Sequence, residues 1–480
     1  HKSTMKKNIF TFLCFLLVSF SFSQTIEEAN KIIKDYDLKV LKDKAIVFEN
    51  NEKREKAKAL TEAKKNNWPE FVTLANGNLE ELMGLTPDGF PIYYASQNAN
   101  AAISTRANFL NSGGQLGLNL NGQGMIARVW DGGTVRRTHN LFSNRVTTVD
   151  DLSGATYSSH ATHVTGTILA SDASASTKGM AYQATGRTFN WTNDESEATD
   201  EAILGMLISN HSYGVPLTSS SGNILPSWYI GSYNSDARDW DELAYLAPYY
   251  LPVMSAGNDG NNNDNPNPME VGYDKLTSNK TAKNILTVAN AQDAIIDSSG
   301  NLTSVLINSS SSQGPSDDKR IKPDITGNGT NLTSASSTSD SSITTFSGTS
   351  MSSPNVAGTL LLLQQHYKNI TNSFMLASTL KGIACHTADD AGNVGPDAKF
   401  GWGLLNAKMG AEAITNNGLK SWISEENLAQ NQNFLMTVKA TGNEPLIASI
   451  TWTDLPGIAN VGNLGENNSL ISKPSMLTEP

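Results

Sequence analysis

Two cysteines in a chain of 480 residues exclude a fold stapled by several disulfides. Cys14 lies in an N-terminal stretch that reads as a cleaved leader. That leaves Cys385 without a partner, and it reads as a small buried hydrophobe. Charge is sparse as well, with 17% of residues charged, and the balance is acidic at a formal −11. This argues against nucleic acid and anionic membrane surfaces as partners. Long apolar runs are missing beyond residues 9–20, a stretch too short to cross a bilayer. The zinc-protease pattern of two histidines and a glutamate on one helix is absent. So is the Gly-x-Ser-x-Gly elbow of many esterases. An exported chain without disulfides must be held by its core or by metal ions.

The apolar fraction, 38%, is enough for a large core, and the length allows two or three domains. Lys6 and Lys7 precede the apolar run, and Ser21 and Ser23 follow it, the pattern of a secretory signal peptide over residues 1–23 with tag-like residues before Met5. Residues 24–98 are rich in lysine and glutamate, with helices expected at 27–36 and 52–67 and turn chemistry at 84–89. From 99 to 417 short apolar runs alternate with helical patterns, which predicts an α/β fold with a mostly parallel sheet. Helices are expected at 201–207, 239–247 and 376–386. Residues 418–480 differ: 434–438 and 446–453 alternate apolar and polar, as half-buried strands do.

Four stretches carry candidate chemistry. Met125 to Trp130 reads as a buried strand ending in Asp131 before Gly132-Gly133, at the carboxyl end where open α/β sheets place their sites. Ser159-His160-Ala161-Thr162-His163 reads as a loop entering a helix; its histidines suit a base, a metal pair or structural bonds. Ser255-Ala256-Gly257-Asn258-Asp259-Gly260 reads as a strand running into a glycine-rich loop, where Asn258 is a turn residue or a neutral donor. Gly348-Thr349-Ser350-Met351-Ser352-Ser353-Pro354 opens a helix that is apolar nearly all round. Ser350 is therefore an N-cap or a nucleophile at a positive helix terminus, with Pro354 expected in the first turn. Gly358, inside that helix, marks close approach of another backbone.

Taken together, and in the order Asp, His, Ser, these stretches resemble the subtilisin-like serine proteases over residues 100 to 415. The resemblance implies a three-layer α/β fold with an N-terminal propeptide over 24–98, a catalytic domain over 99–417 and a short incomplete β region over 418–480. It implies a secreted endopeptidase, extracellular or periplasmic, acting on polypeptides through Asp131, His160 and Ser350, with Asn258 in the oxyanion hole. Ser212, Tyr213 and Gly214 would line the substrate cleft. The propeptide would inhibit the enzyme and be cut away, the mature chain starting within 94–100. No cofactor is required for the chemistry; structural calcium is implied at positions the sequence leaves unknown. Three departures stand out: Gly132 follows the aspartate where Ser or Thr is usual, Ala161 follows the histidine where glycine is usual, and Tyr213 takes the middle place of a cleft segment where Ser-Leu-Gly is common. The alternative reading is an exported, catalytically inactive subtilase-like binding protein.

Overall fold

The computed structural model describes residues 24–73, 79–95, 101–150, 156–171, 177–439, 442, 445–462 and 476–477. The expected signal peptide, 1–23, lies outside the described residues, as do 96–100 of the expected processing stretch.

The N-terminal segment opens with a short helix, Ile26–Ile32, closed by a capping box in which Thr25 and Glu28 bond each other's backbone. A 29-residue helix follows, Leu38–Asn66, where a helix was expected only from 52. The earlier start is set by Asp37, whose carboxylate accepts from Lys39 N–H at 3.1 Å and Val40 N–H at 3.0 Å. Leu41, Ala45 and Phe48 then bury one stripe of this charged helix at helical spacing. An antiparallel sheet of Phe71–Thr73, Leu79–Leu85 and Pro91–Ala95 completes the segment. The long helix packs on the middle strand and on helix Asp194–Ile203.

Among the described residues, seven strands form the central sheet in the order Ile325–Asn328, Leu286–Ala291, Leu251–Ser255, Ile208–His211, Ile126–Asp131, Thr185–Asn190, Val146–Thr148. Every neighbouring pair is parallel. Leu251–Ser255 and Leu286–Ala291 are buried at every position, as strands covered on both faces must be. Side-chain alternation along Ile208–His211 shows the layering. Asn210 accepts from Ser353 of helix Thr349–Thr371, whereas the next ring, His211, packs edge-on against Trp240 of helix Ser235–Leu246. Successive side chains of a strand point to opposite faces, so these helices cover opposite sides of the sheet. Helix Ser159–Leu169 packs against Thr349–Thr371 and against the strand ending in Asp131. The result is the three-layer α/β architecture the sequence implied.

Several elements differ from expectation. The helix expected at 201–207 is Asp194–Ile203: Asp194, Glu195 and Glu197 fill its first turn, where the partial positive charge of the N-terminus favours them. Ser235–Leu246 starts before 239 because Asn234 caps it through Ala237 N–H. The serine helix begins at Thr349, so Pro354 is its sixth residue and lies in the second turn rather than the first. At Gly358 the close neighbours are side chains, not backbone: an added Cβ would sit 2.8 Å from Cβ of Met180. In the tail, the strands differ from those expected at 434–438 and 446–453 in place and length. Residues 434–438 form no strand and their side chains are exposed. Among the described residues of the tail, Ile450–Thr451 pairs antiparallel with Met476–Leu477. An alternating sequence becomes a strand only where another edge supplies hydrogen bonds. Residues 449–460 instead strap onto the α/β body, for example by Lys283–Asp454 at 2.8 Å and Asn460 N–H to the Tyr233 carbonyl at 2.7 Å.

Candidate active site

Asp131 ends its strand with the side chain buried, 1% exposed. Its Oδ1 accepts from His160 Nδ1 at 2.7 Å and from Gly132 N–H at 2.7 Å. Burial pushes this carboxyl above the usual carboxylate range, and the neighbouring His160 opposes the shift. Gly132 departs from the family's usual residue for a steric reason: a Cβ there would lie 2.6 Å from the Trp191 ring.

His160 is the second residue of helix Ser159–Leu169, whose start is fixed by the Ser158 hydroxyl accepting from Ala161 N–H at 3.1 Å. Because Nδ1–H is donated to Asp131, the acceptor nitrogen is Nε2. That Nε2 is buried and makes no protein hydrogen bond. His163, one turn on, is a structural histidine. Its Nε2 lies 3.2 Å from both the Leu332 and Thr344 carbonyls, and burial drives its pKa down to about 3.

Ser350 is the second residue of the serine helix and is buried. Its Oγ donates to the Ser212 carbonyl at 2.8 Å. The structure therefore joins Asp131 to His160 by a hydrogen bond, while the Ser350 hydroxyl is directed to Ser212. Asn258 Oδ1 accepts from Thr349 N–H at 2.9 Å and from Thr349 Oγ1 at 3.2 Å. A backbone N–H can only donate, so the amide oxygen faces Thr349 and the amide donors face away from it. Thr349 Oγ1 also accepts from Gly257 N–H at 3.1 Å, tying the glycine-rich loop to the residue before Ser350. The sequence reading assigned nothing to Thr349; its position beside Ser350 in the serine stretch was the available signal.

Ser212, Tyr213 and Gly214 do not act alike. The Ser212 hydroxyl donates to the Ser350 carbonyl at 2.5 Å. Tyr213, read as a cleft residue, is buried with its ring edge-on to Trp191, and its hydroxyl bonds Asp194 and, at 2.7 Å, His211. This ring faces the core among Trp191, His211 and Asp194. The Tyr213 carbonyl accepts from the buried Lys280 at 2.7 Å. Burial lowers the lysine pKa to about 7. A Cβ on Gly214 would lie 2.9 Å from Cε of Lys280, so this lysine explains the glycine. Among the described residues, no group of three or more His, Cys, Asp or Glu side chains is arranged to hold a metal ion, so the implied structural calcium finds no such set there. Cys385 is buried and unbridged, its thiol pushed up to about 12.

The N-terminal segment lies alongside. Glu81 accepts from Trp191 Nε1–H at 2.5 Å, and Trp191 is the ring that covers Gly132. Ile92 sits in an apolar cluster with Val215, Leu217, Leu225, Tyr229 and Ile230.

Comparison with known proteins agrees with this architecture. The profile of the Subtilase family matches residues 124–403, more than half of the chain. The autotransporter lipoprotein NalP of Neisseria meningitidis is 47% identical over 62 residues, 13% of this chain and 5% of that protein. The extracellular serine protease of Serratia marcescens is 32% identical over 106 residues, 20% of this chain and 9% of that one. The chain thus spans a small part of the length of these curated relatives. Among solved structures, the prenylagaramide maturation protease PagA aligns at a TM-score of 0.46 and 18% identity, covering 62% of this chain and 94% of that one. The patellamide maturation protease PatA aligns at 0.45 and 19%, covering 60% and 96%. With its parallel sheet, the strand-end aspartate bonded to a helical histidine, and a profile match across both, this chain belongs to the subtilase family.

Proposed function

We propose that the chain is a secreted serine endopeptidase that cleaves polypeptides through an acyl-enzyme. The observation that carries the reading is the 2.7 Å bond from His160 Nδ1 to Asp131, which leaves a buried, unpaired Nε2 as the acceptor. In this mechanism the Ser350 hydroxyl leaves the Ser212 carbonyl by rotation about χ1 and gives its proton to His160 Nε2. Oγ attacks the peptide carbonyl. Asp131 stabilises the imidazolium and holds its tautomer. Asn258 Nδ2 and the Ser350 N–H take the oxyanion, for which a neutral donor and a helix terminus are suited. His160 then protonates the leaving amine, and water, deprotonated by the same Nε2, releases the acyl group. No cofactor enters these steps.

The N-terminal segment acts as an inhibitory propeptide. Its contacts beside Asp131, through Glu81 and Trp191, support that role. Secretion rests on the leader pattern in 1–23 and on the extracellular protease named among the relatives. Labelling by a fluorophosphonate, with peptide mapping, tests the reading. One probe per chain on Ser350, lost in Ser350→Ala, is expected. A folded parent that takes no label and cleaves no peptide would leave the alternative, an inactive subtilase-like binding protein.

A further inference from the structure

In a regular helix the N–H of residue 354 would bond the carbonyl of residue 350. Proline has no N–H, and its ring crowds that carbonyl outward. The carbonyl of Ser350, the residue whose placement matters most for nucleophilic attack, therefore lacks the helical N–H donor of residue 354. The partner comes from another element. Ser212 Oγ, just past the end of strand Ile208–His211, donates to the Ser350 carbonyl at 2.5 Å. Its proton is aimed, because Asn210 Nδ2 donates to the same Oγ at 2.9 Å and so leaves it to give its hydrogen to Ser350. Asn210 is itself fixed: Ser353 Oγ donates to its Oδ1 at 2.8 Å. All four side chains are buried, at 1% exposure or less.

From this chain of bonds we infer that Ser212 is a positioning residue for Ser350, supplying the hydrogen bond that Pro354 removes from the helix. The bond goes to the backbone carbonyl and does not depend on the Ser350 side-chain rotamer. It therefore persists while the Ser350 hydroxyl turns from the Ser212 carbonyl to His160. Fixing that carbonyl fixes ψ of Ser350, and with it the relation of Cβ to the N–H proposed for the oxyanion. The inference rests on Ser350 being the nucleophile.

The test is a double-mutant cycle in the full chain, read by peptide turnover and by the rate of fluorophosphonate labelling. Ser212→Ala should lower kcat and the labelling rate on the order of tenfold or more, as misplacement of a reacting group does, with KM little changed. Adding Pro354→Ala returns a backbone N–H to the Ser350 carbonyl, so S212A/P354A should recover most of the lost kcat. The melting temperature should stay low in both, since Asn210 Nδ2 lacks its acceptor either way. Ser212→Cys, which keeps the volume with a weaker donor, should fall between parent and Ser212→Ala. It also serves if Ser212→Ala does not fold. A parent labelled at Ser350 together with Ser212 variants that react at the parent's rate would overturn this inference alone, as would a folded S212A/P354A no faster than Ser212→Ala. An unlabelled parent would overturn it along with the proposed function.

Discussion

Glu52 should make the docking of the N-terminal segment depend on pH. It stands on helix Leu38–Asn66 against the first turn of Asp194–Ile203. Its Oε1 accepts from Glu195 N–H at 3.1 Å, and its Oε2 is buried without a partner. Burial, followed by the charges of Asp194 and Glu49, pushes its pKa from 4.5 up to about 8. Glu195 is raised in the same sense by burial and by Asp239, Glu52, Asp194 and Asp236. Nearby cations are already engaged: Lys44 with Glu242 at 2.6 Å, Arg238 with Asp239 at 2.7 Å, and Lys280 with the Tyr213 carbonyl. Protons on these carboxyls are thus bound more tightly in the docked state than in the detached one. The Glu52 contribution to docking is complete below pH 4.5, the value for a detached side chain, and is lost as pH rises through about 8. Within that window each pH unit weakens docking by up to tenfold, about 1.4 kcal/mol, and the whole span is worth at most about 5 kcal/mol.

The perturbation is Glu52→Gln, which keeps an acceptor for Glu195 N–H and cannot ionise. Both chains carry Ser350→Ala so that neither can process itself. Hydrogen exchange of the Leu38–Asn66 amides, corrected for intrinsic pH dependence, reports opening of the segment. Protection should fall between pH 5 and 8 with Glu at this position. It should be higher and flatter with Gln. Equal pH profiles in the two chains would refute the reasoning.

Other expectations follow from the same geometry. His160→Ala should abolish turnover with little change in melting temperature, whereas His163→Ala should cost about 2–4 kcal/mol by stranding two buried carbonyls, read by urea unfolding. The stability held by neutral His163 is complete above pH 6.5 and is lost as pH falls towards about 3, so part of the acid sensitivity should vanish in that variant. Gly132→Ser should cost about 1–3 kcal/mol and lower activity, because Trp191 must move; a stable, active variant in melts and peptide assays would contradict the packing argument. Active enzyme should lose the segment before about residue 98 and Ser350→Ala should keep it, by intact mass. Ending the chain after Asn417 should preserve peptide cleavage while lowering the melting temperature, since the strap through Asp454 and Asn460 is lost.

What could be read from the sequence was local. Asp131 ends a run of apolar residues, and both His160 and Ser350 open helices, so each sits where neighbours in sequence fix its backbone. The Asp131–His160 contact joins residues 29 apart, and the Ser212–Ser350 contacts join residues 138 apart; spacing says nothing about such pairs, and the family resemblance supplied the first of them. The helix Asp194–Ile203 starts earlier than the expected 201 because its first turn is acidic rather than apolar; the dipole argument, rather than periodicity, marks its start. The burial of the Tyr213 ring is not legible in the sequence, because a residue flanked by Ser212 and Gly214 in a loop gives no sign of facing the core. Its burial depends on Trp191 and Asp194, which reach it only in the folded chain.

The residues that break local rules are not scattered. Pro354 stands inside a helix, Gly132 follows the aspartate, Lys280 is a buried lysine, and His160 keeps an unpaired buried nitrogen. Each would be costly in isolation. Pro354 is offset by Ser212 and Asn210, Gly132 by the Trp191 ring, and Lys280 by the Tyr213 carbonyl with Asp194 and Asp236 nearby. His160 Nε2 has no such compensation in the protein. Of these four, three carry a compensating contact in the scaffold, and His160 Nε2 is the one beside Asp131 that is left to accept a proton. The base role proposed for His160 depends on that free nitrogen. It makes a sharp demand: any residue change that gave Nε2 a permanent protein partner should cost activity while raising stability.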